Sequence, residues 1–135
     1  MLSTHRLTDM KPSEILMIDA KRNPQGLDAN GLAELIMSFK EKRGASVIQE
    51  GNTLMMYHPI SESHAEFHCF NADAPENLVK NVSKLYVVLK KEGFKTAETS
   101  YDNPKINDLI VRTTNPENVN ISQGKSHKYI AEVTL

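Results

Sequence analysis

The amino-acid sequence predicts an α+β fold: a mixed central sheet with an antiparallel meander, a βαβ unit after it, and helices on both faces. Three observations predict it. Two segments, Asp28–Arg43 and Ala74–Glu92, repeat apolar residues at helical spacing. Shorter segments alternate apolar and polar residues as half-buried strands do. The connections are brief and marked by Gly, Pro and Asn, with three strands in succession and then strand, helix and strand.

Leu2–Leu7 reads as a weak opening strand. Pro12-Ser13-Glu14 opens a short helix through Ile15, Leu16, Ile18 and Asp19, because proline at a first helical turn forfeits no intrahelical bond. Lys21–Gly26 is a polar connection with two breakers. In the helix predicted over Asp28–Arg43, Leu32, Leu35, Ile36 and Phe39 share a face. Asp28 or Asn30 can cap it, and Lys40, Lys42, Arg43 and Gly44 form a favourable end. Ala45–Glu50 and Thr53–His58 read as strands joined at Gly51-Asn52. Pro59 ends the second, and His64–Asn71 is the third.

Asp73-Ala74-Pro75-Glu76 has the spacing of a reciprocal cap for the second long helix. Leu78, Val82, Leu85 and Leu89 mark its buried stripe, and Gly93 closes it. Lys95–Tyr101 is a strand, Asn103-Pro104 starts a short helix to Ile110, and Arg112–Asn120 is a loop or short strand. Lys128–Leu135 closes the chain as a strand with Tyr129, Ala131, Val133 and Leu135 on one face.

The chain has 135 residues, enough for one domain over residues 1–135 with a core of its own. Its 16 Lys+Arg against 17 Asp+Glu leave a net charge of −1, which gives no electrostatic footprint for nucleic acid. No apolar run approaches the ~20 residues of a spanning helix. Met1–Met10 has no signal-peptide apolar core. The lone Cys69 forms no internal disulfide and reads as a buried thiol. A cytoplasmic location is the expectation.

His64, Glu66 and His68 alternate along one strand face, a pattern that serves proton transfer, metal ligation or simply a solvated strand face. The solvated face is the favoured reading, and no metal site is assigned. Lys80, Lys84, Lys90, Lys91 and Lys95 read as a solvated basic helix face that also carries Val87. Met55 and Met56 read as core filler. No nucleophile elbow, phosphate loop or dinucleotide fingerprint is present.

The element order resembles the GNAT N-acetyltransferase superfamily over nearly the whole chain. Ala45–Asn71 is similar to its three-strand meander. Lys90-Lys91-Glu92-Gly93-Phe94-Lys95 is similar to its helix exit into the fifth strand, and Tyr101-Asp102-Asn103-Pro104-Lys105 to the Asn-headed start of its last helix. The resemblance implies acetyl-CoA as cofactor and Glu66 or His68 as a general base for an attacking amine. Cys69, Phe70 and Asn71 would hold the pantetheine arm, with Asn77, Lys80, Asn81 and Asn103 nearby.

Two family features are missing. The R/Q-x-x-G-x-G/A pyrophosphate loop is replaced by Asn71-Ala72-Asp73-Ala74-Pro75-Glu76-Asn77, with no Gly, no Arg and two carboxylates. The proton-donating Tyr seven residues after the Asn is replaced by Ile110; Tyr101 and Tyr129 are the nearest phenols. The sequence therefore points to a GNAT-like protein with an eroded cofactor loop and no cofactor. Its expected role is non-catalytic binding or assembly with a protein partner or with itself, as in small tailed-phage accessory and virion proteins of this type. The alternatives are a divergent acetyl-CoA-dependent N-acetyltransferase and a small-molecule or peptide sensor that uses the splayed cleft between the fourth and fifth strands.

Overall fold

The structure, a computed structural model, describes residues 9–22 and 27–135; the strand expected at 2–7 lies outside them. The chain forms α1 (Pro12–Arg22), α2 (Ala29–Arg43), β1 (Ser46–Glu50), β2 (Thr53–Pro59), β3 (His64–Asn71), α3 (Pro75–Lys91), β4 (Thr96–Tyr101), α4 (Lys105–Ile110), a 3₁₀ turn (Pro116–Asn118), β5 (Val119–Gln123) and β6 (Tyr129–Thr134). The six strands make one mixed sheet in the order β1-β2-β3-β4-β6-β5. Neighbours are antiparallel except β3 and β4. That parallel pair requires a crossover, which α3 supplies.

Local chemistry sets the boundaries. Asp28 caps α2 by accepting the Gly31 N–H at 2.9 Å. Gly44 ends it in the left-handed region, and the Ala45 N–H reaches back to the Phe39 carbonyl. Gly51 takes φ 53° in the two-residue β1–β2 turn, a conformation that side chains with a Cβ rarely adopt. The Arg112–Asn120 segment is a loop with the 3₁₀ turn, and the following strand runs on to Gln123 as a partner of β6. Only Val119 and Ile121 are apolar in β5, and its other positions are exposed at the sheet edge. Its alternation is therefore weak.

Two cores flank the sheet. On one face Phe67, Leu85, Leu89, Ala97 and Val133 pack under α3 and α4. On the other, Ile15, Leu16, Leu32, Ile36, Met56 and Phe70 pack under α1 and α2. Met55 faces the first core and Met56 the second, both fully buried, as expected of filler. Leu35 departs from the predicted α2 face: it is 37% exposed and lines a cleft. The α3 lysines Lys80, Lys84, Lys90 and Lys91 are exposed, as is Lys95. Lys84 approaches Glu50 at 3.6 Å, and Val87 is 54% exposed among them.

Helices α1 and α2 pack on β2 and β3. Further along that face the sheet carries Glu98 on β4, Glu132 and Thr134 on β6, and Asn120 and Ser122 on β5, the last four exposed. Among the described residues no helix is long and apolar enough to cross a membrane.

Candidate ligand-binding cleft

Strands β3 and β4 pair over only three positions, His64↔Thr96, Ala65↔Ala97 and Glu66↔Glu98. Beyond Glu66, β3 stays with β2 to Asn71, while β4 stays with β6 to Tyr101. The two strands therefore part. The Asn71 N–H points away from β2 and is accepted by Asp19 Oδ1 at 2.9 Å. Backbone polar groups alternate sides along a strand, so those of Cys69 face the same gap.

His64 pins the root of the split. Its Nδ1 lies 2.6 Å from Thr96 Oγ1 and its Nε2 2.5 Å from Glu98 Oε1. A carboxylate only accepts, so Nε2 carries a proton, and a neutral ring accepts from the Thr96 hydroxyl at Nδ1.

The split opens a cleft of about 660 Å³ that passes through the sheet. One wall is apolar, with Leu78, Val82, Ile106 and Leu109 from α3 and α4; His68, Phe39 and Leu35 approach from the other face. Tyr101 stacks on Tyr129 at 5.6 Å between centroids, and its hydroxyl donates to Asn107 Oδ1 at 2.6 Å. Burial raises the Tyr101 phenol above its ordinary range. Burial also pushes the Cys69 thiol up to about 12, with the Asp19 charge adding to it, so the thiol is inert as a nucleophile at neutral pH. At the mouth, Asp102 accepts the Lys128 N–H at 2.9 Å and meets His127 Nδ1 at 3.2 Å. These backbone and His127 bonds hold its carboxyl below the usual range.

Glu66 and His68 do come together. His68 Nε2 lies 2.9 Å from Glu66 Oε1, and this bond holds the carboxyl below its ordinary range. The sequence reading missed His58, which faces Glu66 from β2 at 3.6 Å. It also missed Glu98, the partner of His64. The expected solvated face is thus corrected to a half-buried row of His–carboxylate pairs, held together by pairings between residues distant in sequence. Among the described residues no three His, Cys, Asp or Glu side chains are arranged to hold a metal.

His58 is buried, and among the described residues its Nδ1 has no hydrogen-bond partner. Desolvation lowers its pKa, so the folded ring is neutral at pH 7. The unfolded chain then binds the proton first as pH falls below about 6.5. Stability should therefore decline on the acid side of that value, and Glu66 adds a further loss as its own carboxyl protonates at lower pH. Thermal midpoints of the wild type and H58L between pH 7.5 and 5 check this: the decline should be shallower in H58L, and an equal decline would contradict it.

The remaining sequence candidates separate. Cys69, Phe70 and Asn103 line the cleft with His68. Glu66 stands behind His68. Asn77 and Lys80 are exposed on α3. Asn71 and Asn81 belong to a polar hub at the end of the sheet. There Asp73 Oδ2 accepts the Asn52 N–H at 2.9 Å and Asn81 Nδ2 at 3.0 Å. Asn81 also donates to Thr53 Oγ1 at 2.9 Å. Asn71 Nδ2 and Arg22 Nη1 both donate to the Asp73 carbonyl.

This hub corrects the predicted reciprocal cap. Ala74, not Asp73, is the N-cap of α3, and among the described residues no side chain caps that helix start. The Asp73 carboxylate is drawn instead to donors far away in sequence.

No protein-family model matches this chain, and no curated protein matches it either.

Proposed function

We propose that the chain has a GNAT-like fold and works as a non-catalytic binding module that takes its ligand into the β3–β4 cleft. The order of elements, the parallel β3–β4 pair and the parting of its strands support the fold. One observation carries the functional reading. The loop that would receive the pyrophosphate of acetyl-CoA holds its own carboxylate, Asp73, already bonded to Asn52 and Asn81. Glu76 adds a second negative charge, and Pro75 at the helix start lacks an N–H. Arg22, the cation beside this loop, donates from Nη1 to the Asp73 carbonyl. An incoming pyrophosphate would meet like charge where it needs donors.

Calorimetry and the thermal midpoint in excess acetyl-CoA test this. A ligand at 100 times its dissociation constant adds about 2.7 kcal/mol of stability. The expected result is no heat and no shift; a clear shift would overturn it.

The second reading, a divergent N-acetyltransferase, draws on the start of α3, where no side chain among the described residues supplies a cap. In that reading the Cys69–Asn71 backbone holds the pantetheine arm, and the Glu66–His68 pair accepts the amine proton.

A further inference from the structure

We propose that the contact between His58 and Phe39 is a pH-sensitive latch. In mildly acid solution, protonation of His58 frees the C-terminal end of α2 from the sheet and opens the cleft on that side. The latch acts whatever the cleft binds.

Phe39 holds the end of α2 down. Its ring meets those of His58 and His68 edge-on, at 5.5 and 5.7 Å between centroids. Arg43, one turn further along, lays its guanidinium over the same ring at 4.5 Å. Leu32 and Ile36 anchor the earlier part of α2, and beyond Phe39 every side chain of the helix is exposed. Gly44 then ends the helix in the left-handed region. The last turn therefore depends on Phe39 and can open without the rest of α2. Phe39 also lines the cleft, on the face opposite α3 and α4. One side chain both anchors the helix end and walls the cleft.

His58 has no place for a second proton. It is 4% exposed, and among the described residues its Nδ1 meets no acceptor. Its Nε2 stands 3.6 Å from Glu66 Oε1, beyond hydrogen-bond reach, and His68 Nε2 holds that same oxygen at 2.9 Å. From β4 it is faced by Glu98, which is bonded to His64. From α2 it is faced by Arg43, while Lys40, Glu41 and Lys42 of the same turn are exposed. At this end of β1 the residue opposite the neighbouring Tyr57 is the uncharged Ser46. A proton on His58 thus adds a buried cation beside Arg43 and His68, with the nearest carboxylate oxygen already taken. A buried cation without an acceptor is costly, and lifting Phe39 lets water reach the ring. Desolvation already keeps the latched ring neutral at pH 7. An imidazole freed to water has the ordinary pKa of about 6.5, so acid favours the open state, by up to about thirtyfold between pH 7.5 and 5.

Amide hydrogen exchange at pH 7.5 and 5, expressed as protection factors, tests the latch. At pH 5 the amides from Phe39 to Arg43, and the Ala45 N–H that the Phe39 carbonyl accepts, should lose about tenfold in protection, against less than about threefold for Val82–Leu89 in α3. In H58Q the loss at α2 should disappear. A second reporter leaves His58 in place. The chain has no Trp, so F39W carries a single indole at the latch. Its emission should move to longer wavelength as the pH falls below about 6.5, and should stay fixed when H58Q is added. Unchanged α2 protection and unchanged emission in acid would overturn the latch. So would an equal loss over α2 and α3, which marks global unfolding, or an acid-induced loss at α2 that persists in H58Q.

Discussion

Replacing Phe67 by Ala should destabilise the protein by about 3–5 kcal/mol, the largest effect of any substitution considered. Phe67 is 1% exposed at the centre of the sheet and packs edge-to-face on Tyr86, 5.9 Å away. It is one of the largest fully buried side chains, in contact with the core under α3. Its truncation removes apolar area from the core and leaves a void that the rigid sheet cannot close. It also widens the cleft, which Phe67 helps line. Urea denaturation of the F67A variant measures the loss. A change below about 1 kcal/mol would mean that the β3 side chains do not pack as described.

Asp73 provides the second large effect. In D73A the Asn52 N–H and one hydrogen of the buried Asn81 amide lose their acceptor. An unsatisfied buried donor such as the Asn81 amide costs about 1–3 kcal/mol and the half-buried Asn52 N–H adds less, so the variant should lose about 2–3 kcal/mol. Gly51 lies so close that a Cβ there would stand 3.0 Å from Asp73 Oδ2, which shows how tightly the turn closes on this carboxylate. D73N keeps one side-chain oxygen as acceptor and should recover part of the loss. Equilibrium unfolding of both variants checks the ranking. A D73A protein within 0.5 kcal/mol of the wild type would show that the hub is ornamental, since that is the ordinary range for a surface substitution.

Much of the fold was legible because its signals are local. The α3 stripe of Val82, Leu85 and Leu89 is buried as its spacing predicts, since one helical face must cover the sheet. The β1–β2 turn was marked by Gly51-Asn52, and the closing strand by Ala131 and Val133, both fully buried. The edge strand β5 was only half legible, because a strand with two apolar residues takes its identity from pairing with β6.

The site was less legible, for the same physical reason. The D-x-x-E spacing at Asp73 is a local pattern, but the Asn52 N–H lies 21 residues away and the Asn81 amide 8. Those donors hold the carboxylate, and the helix start goes uncapped. His58 and Glu98 could not be joined to Glu66 from sequence, because cross-strand register brings them together. Cys69 and Phe70 were placed by analogy of position. The cleft itself arises where two strands choose different neighbours, which no short motif records.

The central claim is that Asp73 already holds the place of an anion at the end of the sheet. The most direct measurement follows the backbone amide resonances of Asn52, Glu76 and Asn77 while pyrophosphate is added to the folded chain. The account predicts no saturable change at these three amides. Saturable shifts confined to them would contradict it, because the Asp73 carboxylate would then fail to keep an external anion from this end of the sheet.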